Sequence, residues 1–257
     1  MIVHIATLLV LAASLVCSQA RAEELVTSLS SNMVSIQSNF TGTEIVVFGQ
    51  IIRDAHTVAR PGNYDLAIAI EGPKQDVTTR RKKRFLGVWI NRYYEMFKGV
   101  PSFYALATTK RAGELGDRSI LDENGIGLNH LNLPVSGHSR VPLSDRDDFR
   151  KAFLRLRQEE GLYSERPETI EFLTATMFRT SIPLPANIPV GNYKVKSYLF
   201  QDGILLSKQE AELAVAKIGF EQLTYNLAQN QPFIYGLMAV LIAIFTGWLA
   251  GVIFRKD

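Results

Sequence analysis

The chain has 257 residues, of which 47% are hydrophobic and 21% charged, with 28 Lys+Arg against 25 Asp+Glu. That balance excludes a wholly disordered tail, a collagen-like rod and a protein with many membrane spans. The apolar residues gather at the two ends, so location is more legible here than chemistry.

Ile2 to Cys17 is an almost unbroken apolar run, followed by Ser18-Gln19-Ala20-Arg21-Ala22. The final small-x-small triplet is what signal peptidase accepts, so residues 1–22 are expected to be a signal peptide cleaved after Ala22. The run is short for a span. Cys17 is the single cysteine and would leave with the signal. The exported chain then has no disulfide, no thiol chemistry and no cysteine metal site, and must be held by packing.

Residues 23–219 read as a mainly β body. Val34 to Phe48 is rich in β-branched and aromatic residues and is interrupted by Asn39-Phe40-Thr41-Gly42, a strand–turn–strand pattern. Tyr64 to Ile70, Phe85 to Ile90 and Ser102 to Thr108 are further strand candidates. Asn192 to Phe200 and Ile204 to Val215 flank Asp202-Gly203, a hairpin signal. Ser144 and Asp147 resemble a capping box before Phe149, Ala152, Phe153 and Leu156, spaced as one face of a helix that Gly161 ends. Thr109 to Arg140 lacks periodicity and reads as an irregular connection. The expected fold is an Ig-like β-sandwich of one or two units with one packed helix. Gly-Asn-Tyr precedes a strand at both Gly62 and Gly191, so the body either contains two related halves, about 23–135 and 141–219, or uses one good turn twice.

Within the body, Arg80-Arg81-Lys82-Lys83-Arg84 is the densest charge run. It reads as a loop between strands, either simply solvated or seating an anion or anionic lipid headgroups. Trp89, Phe97, Phe103 and Tyr104 lie in the most aromatic stretch and form either an interaction surface or core. His56, His130 and His138 have no metal-ligand spacing, and no nucleophile elbow or phosphate-binding loop occurs, so neither a cofactor, a metal nor an enzymatic activity is expected. Without Arg21, Arg255, Lys256 and Asp257, 25 basic and 24 acidic residues remain. The pI of 8.9 therefore points to no nucleic-acid partner.

Residues 220–232 would connect the body to a span at 233–254, which has no charge. Twenty-two residues at ~1.5 Å each cross a ~30 Å hydrocarbon core. Arg255 and Lys256 in the tail, 255–257, favour the cytoplasmic side. Along the span Ala239, Ala243, Gly247 and Gly251 recur every four residues. Small residues let helix backbones approach in lipid, so this stripe predicts a packed helix partner, either another integral membrane protein or a second copy.

Asn39-Phe40-Thr41-Gly42-Thr43-Glu44, Val47-Phe48-Gly49, Gly87-Val88-Trp89-Ile90-Asn91, Val100-Pro101-Ser102-Phe103-Tyr104, Met177-Phe178-Arg179, Leu184-Pro185-Ala186-Asn187-Ile188-Pro189 and Tyr235-Gly236-Leu237 together resemble the alphaproteobacterial putative transmembrane protein family. Val88, Ile90 and Met177 depart mildly from its pattern. The resemblance carries no catalytic residue. It implies a bacterial inner-membrane protein with a periplasmic body, and a permease of the sulfite/anion exporter type as partner. The leading expectation is thus a non-enzymatic accessory subunit. A binding module for anions or lipid headgroups at Arg80–Arg84 is the alternative, and a hydrolytic enzyme with an unrecognised site the third.

Overall fold

The computed structural model describes residues 23–53, 64–137, 141–217, 225 and 227–253. The signal segment, His56, His138 and the tail from residue 254 lie outside them, as does most of 218–226.

The body is a β-sandwich. One sheet has the order β1-β3-β10-β9, built from β1 (Glu24–Leu29), β3 (Gly42–Ile52), β9 (Glu171–Phe172) and β10 (Met177–Pro185). The other runs β2-β12-β11-β4-β7-β8, from β2 (Met33–Ile36), β4 (Tyr64–Glu71), β7 (Tyr104–Thr108), β8 (Tyr163–Arg166), β11 (Gly191–Gln201) and β12 (Ile204–Lys217). Because β3 pairs with β10 and β4 with β11, strands from before and after residue 140 share both sheets. The two halves are one packing unit.

Strand β4 explains where the core sits. All of Leu66 to Ile70 is buried, so the usual alternation vanishes and both faces of the larger sheet are covered. Leu66, Ile68 and Ile70 lie level with Leu199, Ser197 and Val195 of β11. This face meets the smaller sheet, where the Ser197 hydroxyl comes within 3.4 Å of Thr27 Oγ1. On the opposite face, Ala67 and Ala69 leave room for Tyr198 and Leu106. That face is roofed by residues 112–133, which include the short helix α1 (Arg118–Asn124). The Tyr104 hydroxyl donates to Gly125 O and accepts from Gly127 N, both at 2.9 Å. Tyr198 donates to Asn124 O at 3.2 Å. The connection read as irregular is therefore a lid pinned by two tyrosines.

Helix α2 (Arg146–Glu159) lies where the periodicity places it, and Gly161 ends it in the left-handed region at φ 72°. The capping box does not form. Asp145 is the N-cap residue but makes no cap bond; its carboxylate instead meets Arg81 and the Ser144 hydroxyl. Phe153 stacks on Phe97 at 4.9 Å and meets Tyr163 edge-on at 5.7 Å, joining the helix to the sheet. A 22-residue helix, α3 (Pro232–Ile253), is the last described element, starting at proline as expected for a first turn.

A basic ribbon and a polar cleft as candidate functional sites

The charge run forms a strand, which corrects the loop expected there. β5 (Lys74–Phe85) and β6 (Val88–Pro101) pair as a two-stranded ribbon, its tip inside the expected strand Phe85 to Ile90. The turn is Leu86-Gly87, at φ 46° and 84°. Two positive-φ residues between paired strands are the type I′ geometry, which matches strand twist but normally takes Asn or Gly first.

The ribbon divides into a held base and a free outer half. At the base Phe97 and Val100 are buried, Lys98 N donates to Pro134 O and Ser136 N to Met96 O, each at 2.8 Å. The buried Glu95 carboxylate lies 3.7 Å from Arg146. Midway, Arg81 meets Asp145 at 2.9 Å and lies 4.8 Å from the Phe149 ring centre. The register then slips between Arg81 and Lys82, so that Arg92 is the extra residue of a bulge. Beyond this point every side chain from Lys82 to Arg92 is exposed.

Of the expected site residues, Arg80, Lys82, Lys83 and Arg84 make no ion pair among the described residues, whereas Arg81 is committed to Asp145. The aromatic group divides. Phe97, Phe103 and Tyr104 are core, whereas Trp89 is 66% exposed, opposite Arg84. The sequence reading missed Phe85, Leu86, Val88, Ile90 and Arg92 as parts of the same tip. Their signal was available: six apolar or glycine residues follow directly on five basic ones.

Beside the ribbon base, a cleft of about 620 Å³ opens over the lidded face. Glu71 and Lys196 pair in its wall at 2.7 Å. At the rim His130 Nδ1 is 2.6 Å from Asp122, and this hydrogen bond holds the Asp122 carboxyl below its ordinary range. Arg150 donates to the carbonyls of Asn129 and Leu131. Within the cleft, then, Glu71 is paired with Lys196 and Asp122 with His130, whereas Arg150 is held by backbone carbonyls. Among the described residues, no group of three or more His, Cys, Asp or Glu is placed to hold a metal ion.

In α3, a Cβ added at Gly247 or Gly251 would meet nothing within 4 Å. Ala239 and Ala243 continue the track, and all four are exposed. Each four-residue step turns ~40° about the axis, so the track winds as it would for a crossing partner. The Thr246 hydroxyl donates back to Ile242 O at 2.8 Å, which satisfies that hydroxyl without water.

These features define a β-sandwich body followed by one helix of length and hydropathy sufficient to cross a membrane. The chain belongs to the family described as "Putative transmembrane protein (Alph_Pro_TM)", which matches residues 24–256. Comparison with curated proteins gives no match.

Proposed function

We propose that this is a single-pass protein of a bacterial inner membrane, delivered by a cleaved signal, with its body in the periplasm and its tail in the cytoplasm. It acts without catalysis, as an accessory or interaction subunit of an integral membrane protein. A permease is the proposed partner, of the sulfite/anion exporter type that the family resemblance suggests. The observation that supports this most is the small-residue track on α3, where Ala239, Ala243, Gly247 and Gly251 recur every four residues. A span selected only for insertion has no need of such a track, because Leu or Ile would pack lipid equally well.

The test is purification of the full chain in mild detergent, with Gly247→Leu and Gly251→Leu alongside. An identified permease should co-purify with the wild type and be lost from the double variant. Recovery of a clean monomer, or equal recovery from the variant, would remove the proposal. Protease added to spheroplasts should digest the body; protection of the body would reverse the orientation.

A further inference from the structure

We propose that the outer half of the β5–β6 ribbon is a second membrane contact, whose tip enters the lipid interface of an anionic bilayer while its basic shaft lies among the headgroups. This rests on the chain being membrane-anchored and not on the partner proposed for the span.

Three observations carry it. The first is the composition of the tip: Phe85, Leu86, Val88, Trp89 and Ile90 are all exposed, with Leu86 at 89%. Five large apolar side chains gathered on one projecting turn form a contact surface, unlike apolar residues scattered singly. The second is Leu86 itself. It occupies a left-handed position at φ 46° where Asn or Gly would be unstrained, and its side chain gains no burial in return. The third is the charge behind the tip. Residues 80–92 contain six basic and no acidic residues, and of these Arg81 alone is ion-paired among the described residues.

The order of these groups along the ribbon fits a bilayer. From the turn back to Arg80 is six strand residues, or ~20 Å at ~3.3 Å each. Phe85, Leu86 and Val88 come first, then Trp89, an interfacial side chain, opposite Arg84, then Ile90 opposite Lys83, and then Lys82 and Arg80. The bilayer is also within reach. Fourteen residues separate Lys217 from Pro232, so at most ~3.5 Å per residue keeps the body within ~50 Å of the membrane that holds α3.

The test uses the full chain carrying Trp248→Phe, which leaves Trp89 as the only tryptophan, reconstituted without other proteins. Vesicles of phosphatidylcholine with and without phosphatidylglycerol are compared, with acyl chains brominated or not. In the anionic vesicles Trp89 emission should shift to the blue, resist acrylamide and lose about half its intensity to the bromines, as expected for a group ~5–10 Å into the interface. Lys82→Glu with Lys83→Glu and Arg84→Glu should abolish the quenching, and so should high salt before docking. Leu86→Asn should weaken it while leaving the thermal unfolding temperature unchanged or higher, which separates loss of contact from loss of fold. Trp89 that remains open to acrylamide in all vesicles would overturn the proposal. A blue shift without bromine quenching that grows with the protein-to-lipid ratio would also overturn it, in favour of a second copy covering the tip. Neither outcome depends on whether a permease binds the span.

Discussion

Alkaline solution should unfold the body steeply, because four phenols are buried with their protons directed at backbone oxygens. Tyr104, Tyr163, Tyr193 and Tyr198 have essentially no accessible surface. They donate to Gly125 O, Pro101 O, Pro189 O and Asn124 O respectively. Burial is the largest cause raising each of the four above the ordinary tyrosine value, since a phenolate would lose its hydration and face a carbonyl dipole. The folded state therefore holds these protons more tightly than the unfolded chain. Stability is complete below the unfolded value of ~10 and falls as pH rises past it, by ~1.4 kcal/mol per pH unit for each group. Four such groups give ~5.5 kcal/mol per unit, enough to exhaust a typical stability of ~5–15 kcal/mol within about one to three units. Urea unfolding of the full chain in mild detergent between pH 8 and 11.5, followed by circular dichroism, measures the slope. Tyr198→Phe is the cleanest variant, because at 3.2 Å its bond is the longest of the four. It should cost ~0.5–1.5 kcal/mol at neutral pH and reduce the alkaline slope by about a quarter. Taking the difference between variant and wild type removes every contribution the two share. An unchanged slope in the variant, or phenolate absorbance that appears fully before the fold is lost, would refute the reasoning.

Gly49→Ala should be among the most damaging small substitutions, because its Cβ would lie 2.4 Å from Val26 O and 2.7 Å from the Phe178 ring. Overpacking of this kind costs ~1–3 kcal/mol or more, and at ~2–4 °C per kcal/mol the midpoint should drop accordingly in a thermal melt. Phe153→Ala removes the ring that joins Phe97 to Tyr163 and should cost ~3–5 kcal/mol in urea unfolding. Asp145→Asn should do little globally, under ~1 kcal/mol for a half-exposed pair. Amide exchange from residue 80 to 92 should nevertheless quicken, because Arg81 loses its partner at the point where the ribbon leaves the body.

Much of the sandwich was legible because its elements carry local signals. Asp202-Gly203 between alternating runs gives the β11–β12 hairpin, and Phe149, Phe153 and Leu156 give α2. The outer part of β5 was hidden for a physical reason. Alternation arises when one strand face is dry, and from Arg80 onward neither face is, so a strand of five consecutive cations looks like a solvated loop. The turn was hidden too, since Leu86 stands where a readable signal would be Asn or Asp. The failed capping box has a similar origin: the Asp145 side chain is engaged by Arg81, 64 residues away. No local pattern reports a contact of that range. The division of the aromatic stretch also depends on distant partners. Phe97 is buried by Phe153 and Tyr104 by the 124–127 segment, whereas among the described residues nothing folds back over Trp89.

The ribbon charges could be taken as protection alone, since open strand edges invite pairing with other chains and lysines or bulges discourage it. Elsewhere this protein manages an edge without charge: the Leu25 and Thr27 amides of edge strand β1 donate to Ser207 Oγ and Gln209 Oε1 of the facing sheet. Protection also works with either sign, and would be served by mixed Lys and Glu. The outer ribbon uses one sign throughout and places it beside and behind five exposed apolar side chains. Apolar groups at the turn work against protection, and a strained leucine there works against the hairpin itself. Both become intelligible if the tip has an apolar medium to enter, and the uniform positive charge selects a medium with an anionic surface. On that proposal an amphipathic ribbon would give the body a second attachment to the membrane beside α3, and would thereby set the body's height and tilt.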